Sequence, residues 1–374
     1  MIKHIQIVRF LAAMWVAVFH GSVLGVFADF PHWLNFIVSM GYAGVDIFFV
    51  ISGVIMAHST KDAAHGPRIA GTFVLTRFSR IYMGWWPALL LYVIFFKATR
   101  QLDPHINLQG SFYLYFTELS GLINIVIWSL MFELYFYVLI AIGLLFSRDQ
   151  RQNFLKLVFG VLVVVNVYFL IGRAGAGDEL QSDWIKFFYV APIVAEFFMG
   201  YFLYYYLRAH SSSSWKMWGL FAIATMAMVI HLVPHFEDHP YGLANFYYWP
   251  ERTLLIGGAA LAIMGLALTL PSPRSKIALS MVKLGNYSYS LYLLHILAFN
   301  MVLVLLPWDN LDGQLHRVMT VLVLLALLFG SALYYHAIER PLYMLCRENI
   351  NRWLKPLPWD ASPLSALKKD KQLR

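Results

Sequence analysis

Apolar residues in this chain fall in long runs separated by short polar clusters, and the runs have the length that crosses a bilayer, about 17–25 residues at 1.5 Å per residue. Ten such runs lie near 5–27, 39–57, 81–97, 124–146, 153–171, 188–207, 215–233, 250–270, 287–306 and 316–338. Clusters such as Arg148-Asp149-Gln150-Arg151, Ser211 to Ser214 and Pro271-Ser272-Pro273-Arg274 separate them and supply the turn formers and charges that end helices. Segment 101–123, with its aromatic stretch Phe112 to Phe116, falls short of a full span and reads as an interfacial or half-crossing helix. The pattern predicts an all-α integral membrane protein, a bundle of about ten transmembrane helices.

Composition agrees. Of 374 residues, 60% are hydrophobic and 13% charged, with a mean hydropathy of +0.63, whereas a soluble domain carries roughly 25% charge. No polar stretch is long enough for a separate soluble domain. The expected division is therefore a transmembrane domain over 1–340 and a basic cytoplasmic tail over 341–374. The short basic start runs into a span interrupted by Arg9, without a small-residue cleavage site after it, so it reads as a retained helix rather than a signal peptide. One cysteine, Cys346, excludes an internal disulfide framework and a cysteine-based metal site, and no metal is expected.

Charge distribution sets orientation, because Lys and Arg are retained on the cytoplasmic side. With the N-terminus inside, the inner segments hold 21 Lys and Arg residues and the outer segments six, so both termini are expected in the cytoplasm. This topology explains most of the net charge of +8. Nucleic acid is not an expected partner. In the tail, Leu342, Leu345, Ile350, Trp353 and Leu354 alternate with basic residues, which suits an amphipathic helix lying on lipid.

Ionisable residues inside the spans are the candidate chemistry, since each costs roughly 2.5–3.5 kcal/mol to insert at a helix centre. Arg9 and His20 share the first run, about 16 Å apart along the helix. His20 and Asp46, on consecutive antiparallel spans, fall at one level, roughly 10 Å below the outer surface, so an Asp46 carboxylate is placed to orient His20 and raise its basicity. Glu133 and Glu196 come out about 12–14 Å deep. Arg77 and Arg80, one helical turn apart at the inner start of the third span, form a pair suited to phosphate. A base near the outer face and cations near the inner face suit a cytosolic phosphorylated donor reaching outward. Against this stand structural readings: Arg77 and Arg80 as positive-inside anchors, Asp46 as a packing brace, Glu133 as a pin between helices, and His295 and Glu196 as packing or pocket-lining groups. His58-Ser59-Thr60-Lys61-Asp62 has the His-x-x-x-Asp spacing of some soluble acyltransferases, but lies in a charged loop without companion motifs and carries no weight.

These residues resemble the acyltransferase-3 family of membrane proteins, which O-acylate sugars and other acceptors. Arg9 and His20 match its first-helix pair, and Gly44-Val45-Asp46-Ile47-Phe48-Phe49-Val50-Ile51-Ser52-Gly53 matches its second-helix signature. Arg77 to Ile81 resembles its Arg-x-x-Arg-Ile element, and Trp128-Ser129-Leu130 with Glu133 resembles its Trp-Ser-Leu-x-x-Glu motif. The run from Gly285 to His295 and the triplet Glu339-Arg340-Pro341 resemble its closing elements. Two departures are Met83, where the family usually has proline, and Leu134, where Trp is common. The second-helix wording is nearest to members that decorate exported bacterial polysaccharides.

The resemblance implies transfer of an acyl group, acetyl being expected, from acyl-CoA to a hydroxyl of a sugar, polysaccharide or lipid-linked acceptor at a bacterial inner membrane. Acyl-CoA is a donor substrate, and no tightly bound cofactor is implied. His20 is the implied general base, with Asp46 and Glu133 as the other catalytic candidates; a covalent acyl-histidine route remains open beside direct transfer. Arg9, Arg77 and Arg80 are the candidates for the CoA phosphates. The alternatives are a small-molecule acceptor, an inactive scaffold, or a transporter or flippase for lipid-linked sugar. Transporters usually show internal repeats, and none is found in the sequence.

Overall fold

The structure, a computed structural model, describes residues 2–27, 30–115, 121–173, 188–210, 213–234, 249–308 and 311–354. The helices are α1 (Ile2–Val23), α2 (His32–Ser39), α3 (Gly44–Thr60), α4 (Pro67–Ala98), α5 (Leu108–Tyr113), α6 (Trp128–Gly143) and α7 (Arg148–Arg173), followed by α8 (Val194–Ala209), α9 (Trp215–Leu232), α10 (Pro250–Thr269), α11 (Lys276–Leu284), α12 (Ser288–Leu305), α13 (Gly313–Tyr334) and α14 (Arg340–Trp353). No strand occurs among the described residues. Ten helical stretches there are long and apolar enough to span a membrane, one for each expected run.

α3 is the centre of the bundle. Its sequence is apolar on every side, the composition of a helix with no solvent face, and it packs against α1, α6, α8 and α10. The α3–α8 crossing is the closest: a Cβ at Gly53 would lie 2.0 Å from the Phe197 carbonyl oxygen, and one at Gly200 would lie 2.0 Å from that of Val50. Two glycines thus let two backbones touch, the small-residue packing that joins helices where lipid removes the hydrophobic drive. Rings fill the third side, Phe136 of α6 stacking on Phe197 at 4.0 Å and meeting Phe49 of α3 edge-on at 5.6 Å.

Three differences from the sequence reading bear on function. α4 begins at Pro67, well before the expected 81, so Arg77 and Arg80 lie inside the helix; the charges that made this stretch read as a loop face a polar interior instead of lipid. Among its described residues, segment 101–123 contributes the short α5, whose end is held by Tyr82, Trp85 and Trp86 of α4 donating to the carbonyls of Tyr113, Ser111 and Phe112, groups that a helix end otherwise leaves unpaired. Residues 340–353, beyond the expected end of the last span at 338, continue the helix of α13 through a π-turn at Tyr335–Glu339 and pack on α4. Pro341 accounts for that turn: it has no N–H and its ring crowds the preceding turn, so the helix widens just ahead of it. The rest of the tail, 355–374, lies outside the described residues.

Candidate active site

Arg9 of α1, Arg77 and Arg80 of α4 and Glu133 of α6 lie on four turns of three helices that converge on one cavity of ≈ 590 Å³. Its rim carries Lys61, Asp62, Arg340 and Arg347, and its far end is made by Phe48, Ser129 and Tyr292. α14 supplies one wall through Arg340, Tyr343, Met344 and Arg347. Arg77 and Arg80 each lie over an aromatic ring, and Glu133 and Glu339 on the same cavity wall attract Arg9 and Arg80 without a direct ion pair. Arg77 lies over the Phe73 ring at 5.6 Å and Arg80 over the Tyr343 ring at 5.8 Å. Among the described residues no carboxylate comes within 4 Å of Arg9, Arg77 or Arg80 to form an ion pair. The cavity acids hold hydroxyl donors, Glu133 accepting from Tyr137 and Glu339 from Ser290. The guanidinium forks therefore keep donors for an anion in the cavity, the arrangement that recognises phosphate.

His20 and Asp46 are not among the residues lining this cavity, and the expected Asp46–His20 pairing is not formed. Both Asp46 oxygens are taken by Arg252 of α10, with Nε–Oδ1 at 3.0 Å and Nη2–Oδ2 at 2.7 Å. The pair is buried, at 0% and 1% exposure, with the Tyr42 ring 5.3 Å from the guanidinium carbon and Glu196 beside it. Depth along the helices placed Asp46 and His20 at one level, but α3 turns the carboxylate toward α10 and away from α1. A bidentate guanidinium is the partner that compensates a carboxylate buried this completely. Arg252, at the outer start of the expected run 250–270, is one of the six basic residues that the charge count places outside.

His20 meets His295 of α12 instead. His20 Nδ1 lies 3.0 Å from the Val16 carbonyl and 3.2 Å from His295 Nε2. Phe19 packs on one side of the pair, 5.0 Å from the His20 ring, and Tyr292 on the other, 5.8 Å from the His295 ring. Tyr292 connects the pair to the cavity. Its hydroxyl bonds the Ser129 hydroxyl at 2.7 Å and donates to the Val126 carbonyl at 2.8 Å, so the far wall of the cavity and the histidine pair share one side chain. The sequence reading gives His295 as a packing or pocket-lining group; the signal for more was a histidine inside an apolar span, the same one that marks His20.

The geometry is thus a basic cavity open at the Lys61 end of the bundle, with a histidine pair behind its aromatic end. A family model described as an acyltransferase domain matches residues 2–336. An exopolysaccharide production protein, ExoZ of Rhizobium meliloti (strain 1021), is 30% identical over 320 residues, 81% of this chain and 90% of the relative. No solved structure gives a significant match. The motif order, the ten apolar helices and a family match over nearly the whole sequence agree: this chain belongs to the acyltransferase-3 family of membrane acyltransferases.

Proposed function

We propose that the protein transfers an acyl group, acetyl in the simplest case, from cytoplasmic acyl-CoA to a sugar hydroxyl of an exported or cell-envelope polysaccharide or its lipid-linked precursor. The observation that carries this reading is the cavity itself, where Arg9, Arg77 and Arg80 outnumber the nearby Glu133 and Glu339 and form no ion pair within 4 Å among the described residues. Its ≈ 590 Å³ falls within the range of about 300–1,000 Å³ common for small-molecule sites. The basic excess of the segments around Lys61 and Arg340 places its mouth in the cytoplasm, where acyl-CoA is made. The polysaccharide acceptor follows from the name of the Rhizobium relative and is carried to this chain by analogy.

In this reading the arginines hold the donor's phosphates at the cavity mouth, and the pantetheine arm runs toward Ser129 and Tyr292. The acceptor hydroxyl approaches His20 from the other end of α1. His20 Nε2 takes the hydroxyl proton as the oxygen attacks the thioester carbonyl. Collapse of the tetrahedral intermediate breaks the carbon–sulfur bond, and the departing thiolate takes the proton back from the imidazolium, giving ester and CoA thiol. Asp46 acts as a brace with Arg252 rather than as a partner of His20, and Glu133 orders the cavity through Tyr137.

Thiol release separates this from sugar transport. In inverted membrane vesicles supplied with acetyl-CoA, CoA thiol is expected to appear in proportion to added acceptor; movement of sugar with no thiol formed would favour a flippase. Arg77→Ala with Arg80→Ala is expected to raise the Michaelis constant for acetyl-CoA about tenfold or more, by loss of charge-assisted contacts, with a smaller effect on kcat. An unchanged constant at a normal rate would return the two arginines to topological anchoring.

A further inference from the structure

The histidine pair has a direction that follows from its acceptors. A carbonyl oxygen can only accept. His295 Nδ1 lies 3.3 Å from the Leu291 carbonyl, one turn back on its own helix, so that nitrogen carries the hydrogen and Nε2 is left with its lone pair. That lone pair faces His20 Nδ1 at 3.2 Å. His20 Nδ1 in turn lies 3.0 Å from the Val16 carbonyl, which also demands a hydrogen there. Both contacts at His20 Nδ1 are therefore acceptors, and its single hydrogen is shared between the Val16 carbonyl, the nearer of the two, and His295 Nε2, while His295 Nδ1–H donates to Leu291 O. The remaining nitrogen, His20 Nε2, is unprotonated.

A second observation shows that the turn carrying His295 is fixed from outside. Tyr92 of α4 donates to the Leu293 carbonyl at 3.1 Å and accepts from the Leu297 N–H at 3.0 Å, so one hydroxyl bridges the turn centred on His295. Asn124 donates to the same Leu293 carbonyl at 3.3 Å. His295 is itself 0% exposed, among Tyr292 and Phe299.

We propose that His295 is a positioning residue for His20, a second acceptor beside the Val16 carbonyl that shares its Nδ1–H, fixes the rotation of the ring so that Nε2 faces the acceptor as the base, and retains that hydrogen bond while His20 carries the proton of the acceptor hydroxyl. The inference rests on the reading of His20 as the base of acyl transfer. The role is that of the carboxylate in a serine-hydrolase triad, filled here by a neutral group. A neutral acceptor suits this place, because a carboxylate without a guanidinium partner is costly inside a membrane, and Asp46, the nearby carboxylate that could have served, is bound to Arg252. His295 does not change protonation during the cycle: the proton passes from hydroxyl to His20 Nε2 and from there to the CoA thiolate.

The test uses the full-length protein in lipid nanodiscs and three variants: His20→Ala as reference, His295→Phe, which keeps ring volume and removes the acceptor, and His295→Gln, which keeps an acceptor. Two readouts are taken, steady-state transfer with both substrates varied and the ¹⁵N imidazole spectrum of His20, assigned by its loss in His20→Ala. The wild-type His20 signal is expected to report hydrogen on Nδ1. His295→Phe is expected to leave the hydrogen on Nδ1, bonded to the Val16 carbonyl alone, to shift the His20 Nδ1 signal through loss of the second acceptor, and to lower kcat about 100-fold with both Michaelis constants unchanged, whereas His295→Gln stays within about tenfold of wild type in kcat. Hydrogen on Nε2 of wild-type His20 would overturn the proposal. So would a fully active His295→Phe beside an inactive His20→Ala, or equal losses in the Phe and Gln variants with the His20 Nδ1 signal unchanged. Absence of turnover in the wild type would count against the acyl-CoA reading, and the spectrum would still decide the pairing.

Discussion

Asp46 shows how much a single residue's partner matters. With both oxygens on Arg252, Asp46→Ala leaves a guanidinium in an apolar interior, a change that typically costs about 3–5 kcal/mol, offset in part by Glu196 close by. Asp46→Ala is therefore expected to lower the thermal midpoint and the amount of folded protein. Arg252→Met in the same chain should recover much of that loss, because it removes the stranded charge. Were Asp46 instead the orienting partner of His20, Asp46→Ala would fold normally and lose only kcat, and Arg252→Met would restore nothing. The ionisable residues themselves were legible in the sequence, since Arg9, His20, Asp46 and Glu133 each interrupt an apolar run. Their pairing was not. Depth along a helix follows from residue count, but the direction a side chain takes around the helix depends on which neighbours pack there, and α3 has neighbours on all sides.

At the scale of elements, the ten apolar runs translated directly into helices because run length against bilayer thickness is a strong constraint. Boundaries shifted where charge enters a helix that faces a polar cavity, as in α4, and where a span continues beyond the apolar run, as α13 does into α14. π-turns mark two such places. Thr253–Gly257 follows Arg252 directly, and Tyr335–Glu339 ends on Glu339, which lines the cavity; both lie beside buried charge, where widened turns often occur at functional sites. The α3–α8 contact makes the sharpest demand of any element pair. Gly200→Val places a branched side chain where a Cβ alone would lie 2.0 Å from a carbonyl oxygen, so α8 must move off α3. The expected result is a large loss of thermal stability and of protease resistance, and a Gly200→Val protein as stable as wild type would show that the two backbones are not in contact. The outward Gly258, with open space around its Cβ position, should accept Ala with little change.

Across the whole molecule, one end of the bundle gathers Lys61, Arg340 and Arg347 at a cavity mouth, and the other end of α1 carries His20 beside α12. By the positive-inside rule the first end is expected in the cytoplasm. The single native cysteine, Cys346 of α14, provides a probe: a membrane-impermeant thiol reagent is expected to label it in inverted vesicles and not in intact right-side-out vesicles. The opposite pattern would reverse the assigned topology and with it the side from which the donor arrives. The cavity was only partly foreseeable. The sequence motifs named Arg9, Arg77, Arg80 and Glu133, which the fold brings together. The wall from α14 and the end at Tyr292 and Ser129 depend on helix continuity and side-chain bonding across 163 residues, which no local pattern encodes.

The central claim, that this family member moves an acyl group from acyl-CoA to a sugar through His20, is tested most directly by following the group itself. Membrane vesicles carrying wild type or His20→Ala would be incubated with acetyl-CoA labelled in the acetyl group and an envelope polysaccharide extract, and label would be measured in alkali-releasable polymer. The account predicts label with wild type and at least about 100-fold less with His20→Ala at equal protein. Equal labelling by the two proteins would remove His20 from the chemistry, and intact acetyl-CoA with no label in either, across a panel of such extracts, would contradict acyl transfer from this donor.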